Sequence, residues 1–244
     1  MVRIPFLTTR AGPALHLAGL PGVEVALRRS ARARRMTLRV GRADGQVVLT
    51  LPRAVRAAEA EAFLAAQEGW LRRTLAGLPV RRLVGAGTLL PVEGRHLELV
   101  APGGRGGVRV EGATLVVPGA PEASGARAAA FLRALARDRL ALACDRHSGA
   151  LGRPYTALAL RDTRSRWGSC SAQGRLMFSW RLAMAPPAVL DYVAAHEVAH
   201  LDRMDHSPAF WRVVDRLCPG WQAQRAWLRS EGAALQALRF TTGD

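Results

Sequence analysis

The chain has 244 residues, 49% of them hydrophobic, and a formal net charge of +16 in which all 35 basic positions are arginine. That apolar content is ample for a packed core and excludes a disordered or fibrous chain. No apolar run approaches the ~18 residues of a membrane span, and the first residues lack the apolar centre of a signal peptide, so a soluble cytoplasmic protein is expected. Three widely spaced cysteines, Cys144, Cys170 and Cys218, argue against a disulfide framework or a cysteine-rich structural metal site. The positive charge points to anionic partners, nucleic acid or nucleotides, through an arginine-rich surface. Because the arginines are spread along both halves, a solvated basic surface is the simpler reading.

Residues 1–22 are punctuated by Gly and Pro without a period and read as a partly ordered tail in which His16 is a surface residue. Residues 23–120 read as a β-rich region with one helix. Apolar runs at 23–27, 36–40 and 47–51, with Asp44-Gly45 before the last, predict a hairpin. The arginine cluster of 28–35 between the first two runs reads as an exposed loop rather than a phosphate contact. Residues 54–75 predict one helix placing Phe63, Leu64, Trp70, Leu71 and Leu75 on its core side. Short β runs follow at 88–90, 96–100, 108–110 and 114–117. The glycine-rich loop of 102–107 is a turn and not a phosphate cradle, since no helix start follows it.

Composition shifts near Gly119-Ala120-Pro121, and 121–240 reads as the catalytic half. A long helix over 123–147 places Phe131, Leu132, Leu135, Leu140 and Leu142 on its apolar side. A strand is predicted at 155–161, then a hairpin pairing 166–171 with 174–182. Pro186-Pro187 opens a further helix. Strands and helices of this kind in succession give an α+β fold class.

That last helix carries His196-Glu197-Val198-Ala199-His200, with His206 six residues on. Residues i and i+4 share a helix face, so His196 and His200 can turn ring nitrogens to one metal ion, and Glu197 lies beside them as a general base for a metal-activated water. A continuous helix would carry His206 about 9 Å further along the axis and onto another face. The helix must therefore break after Leu201, with Ser207-Pro208 starting a new one over 209–217. Three histidines and a water make the open site of catalytic zinc, Zn2+. The metzincin peptidases share this histidine spacing but carry Gly where Arg203 stands. Asp202 and Asp205 are candidates to hydrogen-bond the ligand rings.

Residues 164–171 (Arg-Ser-Arg-Trp-Gly-Ser-Cys-Ser), Gly174, Ser179-Trp180-Arg181-Leu182, the histidine motif, His206-Ser207 and Phe210-Trp211 together resemble the YgjP-like metallopeptidase family, related to the SprT-like and WLM zincins. The resemblance implies a zincin-type catalytic half, zinc on His196, His200 and His206, and catalysis by Glu197. In zincins a strand beside the metal helix pairs with extended substrate, which makes Arg166, Trp167, Gly168 and Ser169 candidate substrate-binding residues. A protein or peptide substrate and a zinc metallopeptidase activity are the leading expectation. The alternatives are hydrolysis of nucleotide phosphoanhydrides, and a basic nucleic-acid-associated module carrying a protease.

Overall fold

A computed structural model describes residues 14–16, 19–41, 45–163 and 166–242. The chain divides into two compact units, Met1–Leu78 and Pro79–Asp244. Most of the tail expected over 1–22, and Asp44 of the expected turn, lie outside the described residues.

In the first unit, β1 (Ala14–His16), β2 (Glu24–Ser30), β3 (Thr37–Val40) and β4 (Val47–Pro52) form a sheet in the order β1-β2-β4-β3. The hairpin of β3 and β4 is antiparallel, while β2 runs parallel to β4. Residues of β4 alternate between buried and half-buried, the signature of a strand with one covered face. The cover is a helix pair, α1 (Ala57–Ala66) and α2 (Glu68–Ala76), which joins Ala60, Leu64 and Leu71 to Val25, Val47, Leu49 and Leu51. A single helix was expected here. The break at Gln67 re-registers the second half, so Leu71 is buried and Trp70 is 38% exposed. Within the arginine cluster, Arg29 donates to the carbonyls of Arg53 and Val55, while Arg28, Arg32, Arg34 and Arg35 are exposed.

The second unit opens with β5 (Arg82–Leu83), then β6 (Leu89–Val92), β7 (Arg95–Val100), β8 (Arg109–Glu111) and β9 (Thr114–Val116). The last four form a sheet in the order β6-β7-β9-β8. Leu90, Leu97, Leu99 and Leu115 of this sheet share one core with the elements that follow, so the sheet belongs to the second unit.

Next come α3 (Ser124–Leu151), β10 (Ala157–Arg161), β11 (Gly168–Cys170) and β12 (Arg175–Ser179). The strands order as β10-β12-β11, which leaves β11 on an edge. On α3, Ala128, Leu132, Ala136, Leu140, Ala143 and His147 make the buried stripe, and Leu142, expected on it, is 64% exposed because it sits off that face. The strand end expected at 180–182 lies instead in a 3-10 turn, Trp180–Met184. All five residues there are buried in succession, which an alternating strand cannot achieve.

The helix α4 (Pro187–Ala199) runs through the middle of this unit, with nine buried residues and no polar face. After it come α5 (Pro208–Leu217), α6 (Trp221–Ala237) and β13 (Leu238–Arg239), the last pairing with β5. Arg181 fastens α6 in place. Its guanidinium donates to both oxygens of Asp162 at 2.7 and 3.1 Å, and to the carbonyls of Leu235 and Leu238 at 2.9 and 2.7 Å. A buried arginine so fully bonded loses little on leaving water.

A second polar tie joins α3 to α4. The ring of the buried His147 lies 2.9 Å from Asp191 Oδ1, and Arg146 also bonds that carboxylate. Burial raises the Asp191 pKa, but the His147 bond and the His147 and Arg146 charges outweigh it and hold the group below its ordinary 3.8. A carboxylate depressed in this way stabilises the fold above that value and stops doing so as pH falls through the folded-state pKa. Asp191→Asn is expected to lower the Tm at pH 7, and the gap from the parent should close below pH 3.8. Thermal melts at both ends of that range check this, and a constant gap would refute it.

Candidate metal centre

Helix α4 ends where the site begins. His196 lies in its last turn and His200 is its C-cap residue. Residues 201–206 turn back, and Ser207 caps α5, its hydroxyl accepting from Phe210 N at 3.4 Å, with Pro208 in the first turn. The restart brings His206 Nε2 to 3.2 Å from His196 Nε2. The ligand atoms of His196, His200 and His206 all lie within 4.8 Å of one another.

Several features fit this cluster to a cation. Two ligands about 2.05 Å from a tetrahedral ion stand about 3.3 Å apart, close to the separation of the two Nε2 atoms. His200 Nδ1 lies 2.9 Å from the carbonyl oxygen of Arg203. Donating there fixes the tautomer and leaves Nε2 as a lone-pair donor. Burial, then the charges of His200, His206 and Arg225, lowers the His196 pKa to about 3. Burial also lowers that of His200, against its bond to Arg203. Neutral imidazoles are the ligand form. The rings are held by Phe210, which stacks on His200 at 4.5 Å and meets His196 edge-on at 5.0 Å.

The group that orients His200 is thus the main chain of Arg203 and neither of the expected aspartates. Asp202 pairs with Arg153 and Arg203, and Asp205 accepts from Ser207 N at 3.3 Å. Arg203 serves through its carbonyl, so the residue type at that position is unconstrained by this contact.

Glu197 is only 6% exposed, and burial raises its pKa to about 8, with the charge of Arg166 opposing. Its neighbour on β11 is Gly168. A Cβ there would lie 2.6 Å from Glu197 Cγ and Oε1, closer than packed atoms approach, so only glycine admits the strand at this distance. Strand β11 pairs with β12 so that Ser179 N donates to Trp167 O and Ser171 N to Arg175 O. In an antiparallel ladder, alternate residues turn their N–H and C=O the other way. Gly168 and Cys170 therefore present theirs to the outer edge, beside Glu197.

The remaining candidates divide. Arg166 is exposed and electrostatically coupled to Glu197. Trp167 packs against α6, where a Cβ on Gly232 would fall 2.9 Å from its ring. Alternation puts the Ser169 side chain on the sheet face opposite Gly168 and Cys170. The sequence reading missed a wall of α5 and α6: Trp211 lies 5.6 Å from His196 and 5.9 Å from His206, and stacks on Trp221 at 4.4 Å. The signal available was helical spacing of Trp221, Arg225 and Arg229 beyond the histidine motif.

A metal-dependent peptidase domain of α+β class is what this helix, edge strand and histidine cluster define. The family described as "YgjP-like, metallopeptidase domain" matches residues 34–231, and the chain belongs to that family. Among solved structures, it is similar to the crystal structure of the metallopeptidase zymogen of Pyrococcus abyssi abylysin. That likeness has 22% identity and a TM-score of 0.34, over 38% of this chain and 92% of the other. No curated protein matches the chain. Among the described residues no helix is long and apolar enough to cross a membrane.

Proposed function

We propose that the protein is a zinc-dependent peptidase in which His196, His200 and His206 hold the ion and Glu197 is the general base. The observation that carries this reading is the open edge of β11 at Gly168 and Cys170, lying against Glu197 beside the three histidines. Zinc is favoured by an all-imidazole donor set of three, which leaves a position open as catalytic zinc requires. When bound, the ion supplies Lewis-acid chemistry, acidifying a coordinated water and polarising a substrate carbonyl.

The chain's own residues do the rest. Gly168 and Cys170 bind an extended peptide by adding it to the sheet, which fixes the main chain and leaves side chains to be sorted elsewhere. In its carboxylate form Glu197 takes a proton from the attacking water and delivers it to the leaving amine. Its buried setting keeps bulk water from that proton and strengthens each electrostatic contact. Arg166 lies where it orients an anionic part of the substrate, and Trp167 anchors the strand to α6. The free thiols of Cys144, Cys170 and Cys218 suit a cytoplasmic setting.

The test is cleavage by the full-length, zinc-loaded chain. Release of new amines from a mixed peptide library is expected, abolished by phenanthroline and restored by zinc. Phosphate release from nucleotides with no peptide cleavage would replace this reading with phosphoanhydride hydrolysis. Salt-dependent binding of RNA or DNA by an otherwise inactive chain would favour a nucleic-acid module.

A further inference from the structure

Beside the histidine cluster, Arg225 of α6 sits with its guanidinium 4.9 Å from the ring centre of Trp211 and 5.7 Å from that of Trp221. Trp211 is the same ring that borders His196 and His206, and Trp221 stacks in turn on Tyr192 at 6.1 Å. Contact with two indole rings restricts the cation to one place, which removes much of the freedom an arginine otherwise loses on binding.

Arg225 is half-buried, and among the described residues no carboxylate pairs with it. Of the acids around the histidines, Asp202 pairs with Arg153 and Arg203, Asp205 accepts from Ser207 N while its charge also reaches His200, and Glu197 belongs to the motif itself. The charge of Arg225 reaches His196 and Tyr192, that of Arg229, one turn further along α6, reaches Tyr192, and that of Arg166 reaches Glu197. Positive side chains thus border the site from both α6 and the start of β11. A bound divalent ion adds to the same sign. Such a field draws anions and repels cations.

We propose that Arg225, seated on Trp211 and Trp221, is a specificity-determining residue that receives a carboxylate of the peptide substrate next to the cleavage site. Arg166 and Arg229 extend the field that selects it. The inference rests on the peptidase reading and names its substrate class: peptides bearing an acidic side chain, or a free carboxyl end, near the scissile bond. A planar guanidinium lying against these rings can offer its in-plane N–H groups for a two-pronged bond to a carboxylate. A lysine-bearing peptide would bring like charges together in a partly desolvated place, a contact that costs affinity.

The test uses the full chain carrying Glu197→Gln, zinc-loaded, with fluorescein-labelled peptides read by anisotropy. The peptides share one amidated scaffold with Glu, Ala or Lys at a single scanned position, and a further Ala peptide ends in a free carboxylate. At one position the Glu peptide should bind at least about tenfold more tightly than Ala, equal to ~1.4 kcal/mol. Lys should bind more weakly than Ala. The preference should shrink with added salt, since exposed charges are screened. Arg225→Gln should bring the Glu-to-Ala ratio below about two, and Arg225→Glu should invert the order of Glu and Lys.

If the preference appears only in the free-carboxylate peptide, the group received is a chain terminus. Equal binding of the Glu, Ala and free-carboxylate peptides, no binding by any peptide, or an Arg225→Gln loss shared equally by all of them would overturn the proposal. The peptide series decides the matter even should the Arg225 variants fail to fold. Cleavage of the same peptides by the parent chain separates the two readings. Acid-selective binding without cleavage sinks the peptidase reading and keeps the subsite, whereas cleavage without preference does the reverse.

Discussion

Glu197→Gln is expected to lower kcat/KM for peptide cleavage by about 10³-fold, within the 10²–10⁴ that a positioned general base contributes. The replacement keeps the size of the side chain and removes only its ability to take a proton, so the packing against Gly168 persists. It leaves His196, His200 and His206 untouched, and zinc content should remain near one per chain. Because Glu197 is buried, no solvent base can reach the same place to substitute for it. Steady-state cleavage beside metal analysis on the same preparation checks the result. A loss below about tenfold with zinc retained would remove Glu197 from the proton-transfer role assigned to it.

The spacing of His196, Glu197 and His200 was legible because an i,i+4 pair has only one sensible meaning on a helix, and the grouping of His206 with them followed from the Ser207-Pro208 restart. Both are local signals, written in residue types and their spacing. What orients His200 was not legible: the acceptor is the carbonyl of Arg203, and a main-chain atom leaves no mark on residue type. The break at Gln67 escaped for a related reason. Gln is no helix breaker, and the change of register that exposes Trp70 comes from how α1 and α2 meet their sheet. Arg181 entered the sequence reading only as part of the motif at 179–182, with no partner to name, yet it is 4% exposed and bonded to α6 across more than 50 positions. Contacts at that sequence distance depend on the tertiary fold. The same holds for Trp211, Trp221 and Arg225, which lie on two helices and come together only because α5 and α6 flank α4.

Gly168→Ala should lower kcat/KM by about 10²-fold, the cost typical of displacing a reacting group by about 1 Å. The backbone there is ordinary strand, so alanine adds no conformational strain of its own. The added methyl would instead overlap Glu197 Cγ and Oε1 at 2.6 Å and Cδ at 2.8 Å. Atoms midway along a buried side chain have little room to yield, so either the carboxylate leaves its position or β11 moves off α4. Both outcomes damage the proposed reaction, the first through the base and the second through the edge that receives the peptide. They are distinguishable. If the carboxylate moves, kcat falls while KM holds, and adding Gly168→Ala to Glu197→Gln costs no more than about a further twofold, as non-additive neighbours require. If the strand moves, KM rises as well, and the loss persists in the Glu197→Gln background as weaker peptide binding. A variant with unchanged kcat/KM and an unchanged Tm would show that the approach of β11 to Glu197 carries no function, and the assignment of its open edge to substrate would fall with it.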